Sequence, residues 1–183
     1  IPGPAYYVAR DVYNATGLPP VERAAHLLYL IARGFNGVYR VNASGGFNVP
    51  VGDVRNPRCP SREELHAFSA AARPWIFRQG DFSLPLEAAR AGDVVFADPP
   101  YAGTFVGYAA GGFTPDDQVR LADALARARD GGAIVVHTNA DTPEVRALYR
   151  NRRFLTLPTA ELRAVNRDTE GRGRVGCLLT VSA

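Results

Sequence analysis

The stretch VVFADPPYAGT, residues 94–104, decides how the rest of the chain reads. A short apolar run ends abruptly in an acid, two prolines and a tyrosine. That pattern predicts a buried strand over 93–97 with a carboxylate at its carboxyl tip. Pro99 and Pro100 fix the turn and contribute no N–H, so the Asp98 carboxylate and the adjacent backbone carbonyl stand side by side as acceptors. Tyr101 adds a ring face. Together they suit the exocyclic amine of a planar base: two hydrogen bonds would draw its lone pair out of conjugation and make the nitrogen a better nucleophile. Asp-Pro-Pro is also an ordinary turn, and taken alone it leaves a structural role open.

Outward from this strand, the elements alternate. PPVERAAHLLYLIAR (19–33) carries apolar residues at helical spacing, with prolines at its entry, and predicts a largely buried helix. Residues 35–60 lose that period and predict a long structured loop or hairpin. Ser61 and Glu64 form a capping box for a helix near 62–72, WIFRQ (75–79) predicts a strand, and a short helix is expected near 85–91. Thr114, Pro115 and Asp117 open a helix that Gly131 and Gly132 close. AIVVHT (133–138) reads as a strand, Thr142 and Pro143 open a helix to about 150, and FLTLPTAEL and GCLLTVS read as strands around an arginine-rich loop. The order predicts an α/β fold with a mostly parallel sheet covered on both faces, its ligands beyond the carboxyl ends of the strands. Two domains are expected, 1–74 with the long loop and 75–183 carrying the strand-end acid.

Composition narrows the class without choosing a function. Of the 183 residues 46% are hydrophobic and 21% charged, ordinary values for a soluble globular chain, and no run approaches the ~18 apolar residues of a membrane span. The 21 basic residues are all arginine, which GC-rich coding explains in part; a net charge of +3 still allows a polyanionic partner. Cys59 and Cys177 are far apart, and His26, His66 and His137 lack metal-ligand spacing, which fits a reduced cytoplasmic protein without a metal. The chain starts at Ile1 and contains no methionine, pointing to a processed or incomplete chain.

The DPPY segment resembles the signature of the amino-methyltransferases, Asn/Asp/Ser-Pro-Pro-Tyr/Phe at a strand end. That resemblance implies that Asp98, Pro99, Pro100 and Tyr101 bind the target amine and present it to the methyl of S-adenosylmethionine. DPPY alone does not choose between DNA adenine, ribosomal RNA guanine and other amines. GFNGVYRVNASGGFNVPVG (34–52) does, because it resembles the hallmark insertion of the Dam-type DNA adenine-N6 methyltransferases. The likeness extends to the YY pair near the start, FT-x-x-DQ-x-x-LA (113–122), TNADT (138–142) and VNRDTEGRGR (165–174).

By this resemblance the fold is a Rossmann-like methyltransferase sheet, here incomplete, with a helical and hairpin DNA-recognition insertion. Phe35 takes the place of a wedge at the base stack. Asn36, Arg40, Asn48 and Pro50 fall on the reading loop, with Arg40 suited to guanine or, equally, to a phosphate. Arg163, Arg167, Arg172 and Arg174 are placed near phosphates or in a solvated loop. The implied reaction flips an adenine from duplex DNA, in a monomer working near the prokaryotic or phage nucleoid, in host regulation or restriction and modification. Asp81, Phe82, Asp98 and Tyr108 match cofactor-contacting positions. The family's Trp-Ala-Gly-Gly-Lys segment and Phe-x-Gly-x-Gly turn are absent, so donor binding is expected to be poor. Three readings follow: a truncated methyltransferase, an inactive DNA-binding remnant, or an RNA guanine-amino methyltransferase.

Overall fold

In the computed structural model the described residues are 3–53, 55–103, 112–163 and 173–182, with backbone only described for 161–163 and 173–175. They divide into two compact units, the first running to Arg78, with Gly112 grouped with it, and the second beginning at Gln79.

The first unit opens with helix α1 (Gly3–Asn14), which no periodicity argument anticipated, followed by α2 (Pro20–Arg33). Tyr6 and Tyr13, two turns apart on one face of α1, are buried with Leu30, Phe47 and Val49. Polar tips secure this small core. Tyr6 Oη donates to the Val49 carbonyl at 3.0 Å, and the Asn14 amide both donates to the Phe47 carbonyl (3.0 Å) and accepts from its N–H (2.8 Å). The segment after α2 is therefore a hairpin strapped to α1, with bridges Gly34–Val51 and Val41–Phe47. Gly52 must be glycine here, since a Cβ would lie 2.9 Å from the Gly34 carbonyl oxygen. Helix α2 is less buried than expected: Val21 and Leu28 are exposed and Leu30 is its buried residue. α3 (Arg62–Ala71) has the predicted capping box between Ser61 and Glu64.

The second unit contains α4 (Ser83–Ala88), β1 (Val94–Ala97), α5 (Pro115–Asp130), β2 (Ile134–Ala140), α6 (Pro143–Arg150), β3 (Phe154–Arg163) and β4 (Gly173–Ser182). Sheet order is β1-β2-β4-β3; β1 and β2 are parallel, whereas β4 runs antiparallel to both β2 and β3. The α/β class holds, but the described sheet is mixed. β3 and β4 pair antiparallel along their whole length, from Phe154 opposite Ser182 to Arg163 opposite Gly173.

α5 is a well-specified helix. Thr114 and Asp117 cap it reciprocally, acids occupy its first turn and arginines its last, and Gly132 ends it at φ +94°, a left-handed conformation that glycine adopts without strain. Its Leu121, Ala122 and Leu125 pack with Val135 of β2, Val145 and Tyr149 of α6, and Leu178 of β4. One sheet face is thus covered. The opposite face departs from expectation: Val94, Phe96, Ile134, Leu155 and Leu157 remain exposed, and β1 lies at the sheet edge. WIFRQ forms no strand either. Trp75, Ile76 and Phe77 are exposed, and no described strand takes up their backbone groups, so strand-like composition alone did not make a strand.

His137 is fully buried in this core, stacked on Tyr149 at 4.3 Å between ring centroids and sharing a 3.0 Å hydrogen bond between Nε2 and Tyr149 Oη. Burial pulls its pKa down to about 3. The native state therefore holds the neutral ring, and a depressed value means that its contribution is complete above the unfolded pKa near 6.5 and is lost as pH falls towards 3. Urea unfolding should lose stability from this site with a slope that steepens below pH 6.5 to about 1.4 kcal/mol per pH unit near pH 5. His137→Gln should show a correspondingly shallower acid slope; equal slopes in both proteins would show that His137 is not the group responsible.

Candidate methyl-acceptor site

The strand-end turn sits where the sheet places ligands. β1 delivers Asp98 one residue past Ala97, and β2, in parallel register beside it, delivers Thr138 and Asn139. Successive β2 side chains alternate between faces. Thr138 lies on the open side and its Oγ1 donates to Asp98 Oδ1 at 2.8 Å; Asn139 lies on the helix-covered side, fully buried. Asp98 is exposed and takes part in no ion pair among the described residues. Its carboxylate is oriented by one hydroxyl and retains acceptor capacity for an incoming amine.

Pro99, Pro100 and Tyr101 follow without regular structure. The Pro100 carbonyl accepts from Gln118 Nε2 at 2.9 Å, and the Ala102 N–H donates to Asn139 Oδ1 at 2.9 Å. Tyr101 borders a cavity of about 530 Å³, closed by Phe113, Val119, Val145 and Leu148. That volume lies within the roughly 300–1,000 Å³ of small-ligand sites. Asp98 does not line it; the carboxylate serves the other side of the turn.

Of the residues matched to the donor, Asp81 and Phe82 are already engaged locally. Asp81 Oδ1 accepts the Ser83 N–H at 2.9 Å, starting α4 two residues earlier than expected, and both carboxylate oxygens accept from Arg120 at 3.0 and 3.1 Å. Those hydrogen bonds hold its carboxyl well below the usual range. Phe82 lies under the Arg120 guanidinium at 5.0 Å and against Phe113. Tyr108 lies outside the described residues.

The recognition residues of the first unit gather on the hairpin. Phe35 is 45% exposed at the start of a 3-10 turn (Phe35–Gly37), and Asn36 is left-handed at φ 54°. The Phe35 N–H donates to the Pro50 carbonyl at 2.9 Å, bringing two exposed matched positions together. Arg40 Nε donates to Asn48 Oδ1 at 2.8 Å and its Nη2 to the Asn48 carbonyl at 3.2 Å. Half of the guanidinium is thus committed to its own hairpin, and its outer N–H groups remain oriented by that anchor. Arg167 and Arg172 lie outside the described residues; Arg163 and Arg174 are placed only by backbone, at the paired ends of β3 and β4.

Three residues with roles at the turn carried no assignment from sequence: Thr138, Asn139 and Gln118. All fall inside segments noted for family likeness. The available signal was a polar residue at a buried position, Gln118 on the apolar face of α5 and Asn139 in an otherwise apolar strand.

A strand-end acid followed by two prolines and an aromatic ring, on an α/β sheet, is the arrangement expected from the amino-methyltransferase resemblance. Residues 2–165 match the family described as D12 class N6 adenine-specific DNA methyltransferase, and the chain belongs to that family. Among curated relatives, the Retron Ec67 DNA adenine methylase of Escherichia coli is 41% identical over 148 residues, covering 80% of this chain and 52% of the relative. The DNA N-6-adenine-methyltransferase of Escherichia phage P1 is 36% identical over 173 residues, 92% of this chain and 23% of the relative. The DNA adenine methylase of Vibrio cholerae is 37% identical over 165 residues, 87% and 58% respectively. The chain thus spans at most about half of the length of the first two, and little more of the third.

Proposed function

We propose that this chain carries the methyl-acceptor half and the DNA-reading lobe of an adenine-N6 DNA methyltransferase. The observation that carries this reading is Asp98: an exposed strand-end carboxylate, set by Thr138 and followed by two prolines, in a chain of the D12 family. Asp98 and the Pro99 carbonyl accept the two N–H groups of a flipped adenine's N6, and Tyr101 stacks on the ring. The N6 lone pair forms a bond to the methyl carbon of S-adenosylmethionine as the S–CH₃ bond breaks, its electrons returning to sulfur. The amine then releases one proton. Positioning and electrostatics supply the rate enhancement, with no metal or covalent enzyme intermediate in the step.

In the first unit, Phe35 enters the space left by the flipped base, while Asn36, Arg40, Asn48 and Pro50 contact the neighbouring bases; Arg163, Arg167, Arg172 and Arg174 contact phosphates. Unstacking costs a few kcal/mol, which an aromatic wedge offsets. Asp81, Phe82 and Tyr108 meet the donor's adenosine, and Asp81 does so after exchanging part of its bond to Arg120. The protein, of prokaryotic or phage origin, acts as a monomer where duplex DNA is found, in the cytoplasm of the cell. No helix among the described residues is long and apolar enough to cross a membrane.

The test is nucleoside analysis of duplex DNA after incubation with S-adenosylmethionine and the full encoded polypeptide. N6-methyladenine is the expected product. Methyl groups found instead on guanine of ribosomal RNA, with none in DNA, would overturn the reading.

A further inference from the structure

We infer that Gln118 and Asn139 are positioning residues which aim the strand-end turn, an assignment that rests on the turn being the methyl-acceptor site. Gln118 is 7% exposed and Asn139 fully buried, so neither amide can rely on bulk water. Their bonds form one directed chain. Gln118 Nε2 donates to the Pro100 carbonyl (2.9 Å), Gln118 Oε1 accepts from Asn139 Nδ2 (2.9 Å), and Asn139 Oδ1 accepts from the N–H groups of Ala102 (2.9 Å) and Ala140 (2.8 Å). Both ends impose its polarity. A carbonyl can only accept and a backbone N–H can only donate, so each amide has a single satisfactory orientation.

The consequence is a clamp closing around Tyr101 from the residue before it to the residue after it. On the opposite side of β2, Thr138 holds Asp98. Pro99 lies between these anchors with its φ fixed by the ring and its ψ restricted by the proline that follows. Little freedom remains for its carbonyl. Two apolar residues of similar shape would fill the same space at no comparable risk of unsatisfied polar groups.

Gln118→Glu separates aiming from packing. The introduced carboxylate still accepts from Asn139, but its second oxygen faces the Pro100 carbonyl without a proton. In the full encoded polypeptide at pH 8, kcat per folded molecule should fall about 100-fold, the cost of a misplacement near 1 Å, with KM for DNA changed less than about threefold. Relative to wild type at each pH, kcat should recover as acid protonates the new carboxyl and restores a donor. Unchanged kcat, or a rise in KM alone, would overturn the assignment.

A second measurement needs no activity. In Gln118→Leu, exchange of the Ala102 amide followed by NMR should accelerate about tenfold or more while the Leu125 amide in α5 keeps its protection. Ala102 loses no direct partner in this variant, so unaltered Ala102 exchange would refute the clamp. Wild-type protein without methyl transfer refutes the acceptor-site reading instead, whatever the exchange result, and the two failures are distinguishable.

Discussion

Asp98→Ala should eliminate methyl transfer, lowering kcat at least about a thousandfold, while duplex DNA affinity stays within about threefold of wild type. The size of the loss follows from the role proposed for the carboxylate, accepting an N–H from the target amine as that nitrogen becomes positive; loss of one such preorganised group commonly costs about 10²–10³ in kcat. In the proposed step the same group also fixes the direction of attack, so the expected loss lies at or beyond the upper end. Folding is little affected, because Asp98 is exposed and gives up a single exposed hydrogen bond to Thr138. Asp98→Asn keeps a carbonyl acceptor and should lose less than alanine. Single-turnover rates with saturating donor, beside DNA affinity by anisotropy, check both; near-normal turnover in Asp98→Ala would remove the residue from the mechanism.

Arg40→Ala should relax sequence choice more than it weakens binding. An arginine contact to a base edge is worth about 1–3 kcal/mol, so preference for the cognate site over a singly altered one should fall roughly 5- to 150-fold. Nonspecific affinity should fall only by the equivalent of one phosphate contact or less. The structure adds a reason for directionality: Asn48 holds Nε and one Nη2 hydrogen, which sets the plane of the guanidinium. Parallel losses for cognate and altered sites, with a salt dependence reduced by about one charge, would make Arg40 a phosphate contact. Because Arg40 also ties the hairpin, the urea midpoint of the variant should be compared with that of wild type, and a matching midpoint assigns the effect to recognition.

The parts of this fold legible in the sequence are those written locally. Ser61 with Glu64, Thr114 with Asp117, and Thr142 each cap the helix they were expected to open, because capping needs only residues three apart. The strands at 94–97 and 134–140 are short apolar runs between glycine or proline stops and declare themselves similarly. Long-range information was not visible. Nothing local indicates that β4 inserts between β2 and β3, or that Trp75–Phe77 lacks a partner strand among the described residues. α1 was missed for a related reason: its buried face rests on Tyr6 and Tyr13 alone, and both earn their place through contacts with a hairpin more than thirty residues away, at Phe47 and Val49. The site divides in the same way. Asp98 to Tyr101 form a contiguous motif, whereas the groups that hold them, Gln118, Thr138 and Asn139, come from other elements and had no motif spacing to connect them.

A structure of the full encoded polypeptide with a target duplex and a non-reactive donor analogue would locate the one nitrogen atom on which the proposed transfer turns. The expected result is an extrahelical adenine whose N6 lies about 2.8–3.1 Å from both an Asp98 carboxylate oxygen and the Pro99 carbonyl, with its ring against Tyr101. A target adenine still stacked in the duplex, or an extrahelical one whose amine bonds elsewhere while Asp98 keeps only Thr138, would contradict it.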